Sequence, residues 1–561
     1  MGKRCQMLQH RATRLKKAAL IGLASALALS VAACASERGQ GGEGQVRGGT
    51  LTFGSAGDPK MFDATFATDG ETFRPVRQMF DTLITYKQGS ADLAPALATK
   101  WEPVDDGKGW KFTLREGVKF HDGTDFNADA VCFNFDRWYN MKGAAAQSQM
   151  IYYADVFGGF KNNTSEDFGE PLYAGCEKDG DYTVTIKLKR PSGAFPAAFG
   201  LTSLSIGSPT AMKKYNADEV KQSGEAFTYS EYATEHPTGT GPFKLESYDK
   251  SNGTVTMVRN EDYWGEKAYL DKLIFKTIPE EQARKDELRA GTIDGYDLPS
   301  PADYETLEKE GHQVMVRPVF NILYLGINQK NNPKLRDLKV REALEMAINK
   351  EQLAKTRLPK GAIPRDQFVP KDLPGYTEDV VKREYNPDEA KKVLNGLKVK
   401  FHIPTEVTRP YMPDPKTIAK SIISDLKAVG VEVQEVSKPW NGGYLDDVNV
   451  NGVHDLHLLG WTGDYGDAGN FIGTFFGRKK AEFGFTNDKI FDALAKADRE
   501  PDPDKRGELY EQAAVEISKY VPAIPLTSSP PAIVVSKDVQ GLVPSPLTDE
   551  RFVTVSKKQS D

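Results

Sequence analysis

Cysteine and histidine are both scarce, four and seven in 561 residues. The motifs that usually announce catalysis are missing too. There is no H-E-x-x-H, no P-loop and no G-x-S-x-G, the nearest string being Phe53-Gly54-Ser55-Ala56-Gly57. These absences argue against a zinc peptidase, a nucleotide hydrolase and an elbow-type serine hydrolase. His454 and His457 stand three apart on what reads as a strand, so they should face opposite sides and not share a metal easily. His121, His236, His312 and His402 are scattered and read as structural or exposed, and neither Cys132 nor Cys176 has a suggestive neighbour. No catalytic residue, cofactor or metal is expected. Past the first 33 residues, no apolar run is long enough to span a bilayer.

Positive charge is concentrated where it will be lost. Lys3, Arg4, Arg11, Arg14, Lys16 and Lys17 form a head with no acid, followed by the apolar run Ala18 to Ala33. That run is short for a membrane span and suits the core of a signal peptide. Taking these six basic residues from 73 leaves 67 against 79 acidic ones, a net charge of −12. Such a balance argues against nucleic acid and against adhesion to anionic headgroups. The run closes on Ser30-Val31-Ala32-Ala33-Cys34, which resembles a bacterial lipoprotein signal, although Val31 stands where leucine is commoner. The resemblance implies that residues 1–33 are removed and that Cys34 is lipidated. It also implies a protein held on the extracytoplasmic face of the cell membrane through that lipid alone. An ordinary secretory cleavage site is the other reading. Residues 34–45 are rich in glycine and suit a flexible tether. With Cys5 and Cys34 accounted for, an even remainder in an exported chain suggests a Cys132–Cys176 disulfide, two buried thiols being the alternative.

The rest alternates strand and helix patterns, as mixed α/β lobes do, and its length calls for two or three domains. Gly49–Gly54 reads as a first strand. Glu71–Tyr86 carries Phe73, Val76, Phe80, Leu83 and Ile84 at helical spacing. Asp105-Asp106-Gly107-Lys108-Gly109 is a hairpin turn before the alternating Trp110–Arg115, and Asn127 caps a helix with Val131, Phe135 and Trp138 on one face. The run from Gly109 to Val131, GWKFTLREGVKFHDGTDFNADAV, resembles the signature of the peptide/nickel-type extracytoplasmic solute-binding proteins of ABC importers, family 5. Further matches follow at Gly239–Phe243, Arg259–Gly265 and Arg289–Gly295, so the resemblance covers about residues 48–555. It implies a two-lobe periplasmic-binding-protein type II (cluster C) α/β fold with an extra domain. Lobe one would be 46–92, 208–315 and 525–561, the extra domain 93–207 and lobe two 316–524. A monomer that captures a solute and hands it to an ABC permease is expected.

Two stretches carry the ligand reading. In Val453–Phe471 a strand pattern runs into a loop punctuated by Gly460, Gly463, Gly466 and Gly469, which holds Asp464 at a strand end. Asp464 there can grip a cation or merely bond its own turn. In Thr408–Pro415 the prolines stiffen the segment that carries Arg409. Both strings, Arg409-Pro410-Tyr411 and Gly460-Trp461-Thr462-Gly463-Asp464, are similar to the dipeptide-binding branch of the family. There the arginine meets the ligand carboxylate and the aspartate its α-amino group. A free dipeptide is a short zwitterion, and a guanidinium fork plus a carboxylate match its two ends. Tyr411 and Trp461 either line the ligand or are buried in the lobe, and Asp467 reads as support for Asp464. Thr68–Thr72 resembles the segment that meets the peptide like a neighbouring strand, with Gly70 permitting close approach. Glu71 and Asp69 there replace smaller neutral residues, which makes a ligand with a basic side chain more attractive. The rival readings are a longer peptide, an opine-like conjugate, an oligosaccharide, haem or chelated nickel in the same fold, or a surface hydrolase.

Overall fold

The computed structural model describes residues 45–558 apart from 167 and 225; the leader, Cys34 and the tether up to residue 44 lie outside the described residues. Lobe one is built on a seven-stranded sheet, ordered Phe243–Asp249, Thr254–Arg259, Lys272–Thr277, Thr50–Ser55, Gly295–Asp297, Ala532–Val535 and Gln313–Val316. Thr50–Ser55 runs parallel to both of its neighbours, so the three carboxyl ends, Ser55, Thr277 and Asp297, emerge on one edge. Lobe two has a six-stranded sheet, ordered Ile363–Pro364, Ala523–Ser528, Asn321–Ile327, Leu456–Thr462, Lys398–Thr405 and Glu432–Pro439. Every residue of Asn321–Ile327 is buried. The alternation still sorts its side chains. Leu323, Leu325 and Ile327 join a core with helices Leu338–Ala347 and Pro415–Ala428. Ile322 and Tyr324 join another, with Asp488–Arg499 and Pro503–Tyr520. The architecture is thus α/β with two large lobes and an additional small sheet.

That small sheet is antiparallel, ordered Ala98–Val104, Gly109–Leu114, Thr183–Leu188 and Tyr173–Lys178. The helix Ala128–Tyr139 packs on it, started by Asn127, whose side chain accepts from the Ala130 N–H at 3.0 Å. Cys132 on this helix and Cys176 on the edge strand are bonded, with Cα atoms 5.4 Å apart. Two segments, 317–320 and 529–531, carry the chain between the large sheets. Because Ala523–Ser528 belongs to the six-stranded sheet, the return crossing lies a few residues beyond the boundary expected at 524.

One expected helix is shorter than its apolar spacing suggested. It covers Gly70–Met79, and Ile84–Tyr86 is a strand. The Gly241 N–H takes the Met79 carbonyl at 2.9 Å, so that oxygen serves a neighbouring turn instead of another helical turn. Phe80, Leu83 and Ile84 are buried all the same, because the segment runs beneath both lobe one and the extra domain.

Replacing both Cys132 and Cys176 by serine opens a cross-link between residues 44 apart. Urea denaturation followed by circular dichroism should show a loss of about 3–4 kcal/mol on the chain-entropy account. An unchanged midpoint would show that helix and sheet need no staple.

Candidate functional site

Strands Lys398–Thr405 and Leu456–Thr462 are parallel neighbours, with Phe401 opposite Leu456 and His402 opposite His457. The loops that follow them therefore leave the same edge of the lobe-two sheet. Asn321, where the crossing segment enters, pairs with Thr462 at that edge. Open α/β sheets bind ligands outside such carboxyl ends, and here that edge also meets the interlobe crossings.

Asp464 lies two residues beyond its strand. Asn470 holds it: the Asn470 Oδ1 accepts from the Asp464 N–H at 2.8 Å, and its Nδ2 donates to Asp464 Oδ2 at 3.3 Å. The same Oδ1 accepts from Trp461 Nε1 at 3.2 Å. From the extra domain, Tyr152 donates its hydroxyl to Asp464 Oδ1 at 3.0 Å. No basic side chain among the described residues pairs with this half-buried carboxylate. Burial pushes its pKa up to about 7, against the lowering effect of the Asn470 and Tyr152 hydrogen bonds, and the charge of Asp155 raises it further. A carboxylate has about four lone-pair positions and the protein fills two, leaving two for an incoming cation. The loop must also be thin. A Cβ on Gly466 would stand 2.5 Å from the Ala91 carbonyl oxygen of the facing turn.

Arg409 is half-buried in the loop after Lys398–Thr405. Backbone bonds between Arg409 and Met412, 3.1 and 2.9 Å, pinch the loop, and Ser529 Oγ ties Pro410 O to the return crossing at 2.9 Å. The guanidinium lies over the Trp440 ring, 4.7 Å from its centroid, and bonds the Thr408 carbonyl at 3.3 Å. It too has no ion pair among the described residues. Asp414, which might have neutralised it, instead caps Pro415–Ala428 through the Thr417 N–H. Tyr411 is 6% exposed and fills the space over Gly460, where a Cβ would stand 2.3 Å from its ring. Trp461 packs edge-on to Phe475. Both aromatics thus have structural partners inside lobe two. Asp467 caps the Gly469 N–H at 2.8 Å and pairs with Arg506 at 3.0 Å, a supporting residue of the loop.

The lobe-one segment is arranged differently from a simple added strand. Asp69 caps the helix that starts at Gly70, accepting from the Glu71 and Thr72 N–H groups. Gly70 is exposed, with no atom within 4 Å of a would-be Cβ. Glu71 sits 3.9 Å from Arg74, whose other partner, Asp297, is 2.8 Å away. Burial raises its carboxyl despite that arginine. Glu71 is therefore joined to an internal ion network.

The histidine expectation needs a correction. His454 precedes its strand rather than lying on it, so strand alternation does not apply, and its ring centroid is 4.6 Å from that of His457. His402 lies 5.9 Å from His454. All three are buried and their Nε2 atoms turn to separate partners: the Glu482 carbonyl (His454), the Glu482 carboxylate (His457) and Asp447 (His402). Among the described residues one set, Glu231, Glu235 and His236, gathers donor atoms suited to a metal, on an exposed turn of lobe one. Tyr152, Asn470 and Trp440 escaped the sequence reading. Asn470 stands within the glycine-punctuated stretch, but nothing in the sequence links Tyr152 or Trp440 to the two charges they touch.

A two-lobed fold with a charged edge at its crossings defines a class of solute-binding receptors. Residues 92–483 match the bacterial extracellular solute-binding proteins, family 5 Middle, and the chain belongs to this family. It is 33% identical to the dipeptide-binding protein of Escherichia coli (strain K12), over 97% of this chain and 99% of that one. It is 30% identical to heme-binding protein A of Haemophilus influenzae, over 90% and 92% of the two chains. The structure of a dipeptide binding protein from Pseudoalteromonas sp. SM9913 in complex with Met-Leu superposes with a TM-score of 0.76 at 25% identity, covering 91% of this chain and 100% of that one. The family comprises extracytoplasmic substrate-binding proteins rather than enzymes. No helix among the described residues is long and apolar enough to cross a membrane.

A carboxyl raised in the folded protein lends stability that is full below about pH 4 and lost as pH climbs through about 7. Asp464→Asn should therefore raise the melting temperature of the ligand-free protein at pH 8 and leave it nearly unchanged at pH 4. Parallel melting curves for the two proteins across that range would contradict the raised pKa.

Proposed function

We propose that this protein captures short peptides, dipeptides above all, between its two lobes and delivers them to the transmembrane subunits of an ABC importer. The observation that carries the reading is one carboxylate and one guanidinium, Asp464 and Arg409, each without an ionic partner among the described residues, in neighbouring loops on the edge that faces the interlobe crossings. Asp464 takes the ligand ammonium and Arg409 its carboxylate. Holding both ends limits ligand length and leaves the side chains comparatively free. Tyr411 and Trp461 keep the two loops in place and present little of themselves to the ligand. Gly70 and Glu71 border the site from lobe one. The protein makes and breaks no bond; closure follows from the ligand's contacts with both lobes. Relatives bearing dipeptide-binding names and the Met-Leu complex support this reading. On the same reading the mature protein is a monomer held on the outer face of the cell membrane by a lipid on Cys34, which the likeness of its leader to a lipoprotein signal supports.

Calorimetry with Ala-Ala should give one site per chain. Blocking either terminus, by acetylation or amidation, should weaken it about 10- to 100-fold, the worth of a hydrogen-bonded charge. Arg409→Lys should cost about tenfold, since an ammonium cannot offer the planar fork. Equal affinity for the amide and the acid would remove Arg409 from the site. Haem bound more tightly than any peptide would favour the alternative that the Haemophilus relative represents.

Affinity should also depend on pH with a definite sign. The ligand ammonium favours ionised Asp464, so binding releases a proton wherever the free carboxyl still holds one. Below its pKa of about 7, affinity should fall about tenfold per pH unit. Above about pH 8 it should fall again as the peptide amine, with a pKa near 7.7–8.0, loses its charge. A flat profile from pH 5 to 7 would mean that Asp464 does not meet the ammonium.

For the anchor, Cys34→Ala should move the protein from membranes to the soluble fraction; continued retention would contradict lipidation.

A further inference from the structure

We propose that Asp155 makes this receptor prefer peptides whose first residue is lysine or arginine, an inference that rests on the dipeptide reading above. Asp155 and Tyr152 lie three residues apart on the helix Ile151–Phe157, so both project from one face. Tyr152 is the residue that reaches Asp464, at 3.0 Å, and its ring rests on Phe73 of lobe one, 5.6 Å between centroids. The same helical face thus brings Asp155 beside the position where the ligand ammonium is held. The side chain of the first residue branches from the carbon that bears that ammonium. A long basic side chain there leaves the Asp464 position already close to Asp155.

Three features mark Asp155 as the acid available for this task. It forms no hydrogen bond or ion pair with any described residue. Its carboxylate is open to solvent, and desolvation by the surrounding protein raises its pKa. Its charge also reaches Asp464. The neighbouring acids are committed elsewhere: Asp69 to the helix cap and to Lys60 at 3.6 Å, Glu71 to Arg74 and its network. Arg478 and Lys480 of lobe two feel Asp155 electrostatically but form no ion pair with it. They offer a competing role, a brace between the extra domain and lobe two, which the experiment separates.

The test is calorimetry at pH 8 on the wild-type protein and Asp155→Asn, with Lys-Ala, norleucyl-Ala, Glu-Ala and Ala-Ala. Norleucine keeps the lysine stem without its charge. Wild type should bind Lys-Ala about fivefold more tightly than norleucyl-Ala, the scale of a solvent-accessible ion pair. Glu-Ala should be weakest, and the spread should narrow at high salt. Asp155→Asn should abolish the lysine advantage, and Ala-Ala should lose no more than about twofold, since its ammonium feels the same charge from a distance. Equal binding of Lys-Ala and norleucyl-Ala by wild type, or a lysine advantage that survives the substitution, overturns the proposal. A uniform loss for all peptides in Asp155→Asn also overturns it and assigns Asp155 to the brace. If wild type binds none of the peptides, the dipeptide reading itself falls; if it binds Ala-Ala without favouring lysine, only this inference does.

Discussion

Arg317 is the charge on which the junction of the lobes depends. It is 2% exposed, at the start of the outgoing crossing, and a guanidinium so far from water is costly unless acceptors meet it. Asp297 Oδ1 and Glu550 Oε1 both do, each at 2.6 Å. Asp297 also accepts Arg74, so two guanidiniums hold its carboxyl below the usual range although burial opposes them. The backbone joins in: the Arg317 N–H donates to the Pro531 carbonyl of the returning segment. Both crossings are thereby fastened to lobe one at the carboxyl edge of its sheet. Removing Arg317 would leave Glu550 a buried carboxylate without its ion pair, a costly change.

Against that background, the state of Asp464 and Arg409 is informative. The protein supplies acids to some of its deepest guanidiniums, Arg317 and also Arg137 between Asp63 and Asp218. Among the described residues no ionic partner stands at Asp464 or Arg409 on the lobe-two edge. Asp464 receives only neutral donors, which position it without cancelling it, and Arg409 is spread flat on Trp440. Such charges reduce the stability of the empty protein and raise the affinity for whatever neutralises them. Asn470 is central here, because one buried amide fixes the backbone and carboxylate of Asp464 and the indole of Trp461 together.

Much of the fold was legible because local chemistry and tertiary packing agree. The Asn127 cap, the Asp105–Gly109 turn and the alternating Trp110–Leu114 strand are written in neighbouring residues. Where they disagreed, the long-range partner won. The helix after Gly70 stops at Met79 because a residue 162 positions later takes its carbonyl, and periodicity carries no trace of that. His454 and His457 were placed on opposite faces by a rule that holds only inside a strand. At the site, Asp464 and Arg409 could be singled out because glycines and prolines flank them. Tyr152 could not, since Ile-Tyr-Tyr-Ala-Asp-Val-Phe reads as any small amphipathic helix and its contact lies 312 residues away. Glu71 was noticed as a charge, but its partner, Arg74, lies one turn along the same helix.

The Tyr152 contact has a consequence for how a ligand could be sensed. Its hydroxyl belongs to the extra domain and the carboxylate it touches to lobe two, so this hydrogen bond spans the two without a ligand. An arriving ammonium would bind beside the hydroxyl and need not displace it, because lone pairs remain on the carboxylate. The ligand would then hold Asp464 ionised, and a hydrogen bond to an ionised acceptor is roughly twice as strong as one to a neutral group. Protonated and empty, Asp464 accepts weakly from Tyr152; ionised and occupied, it accepts strongly. On the proposed reading, the proton that sets affinity below about pH 7 would therefore also set the strength of the bridge between extra domain and lobe two.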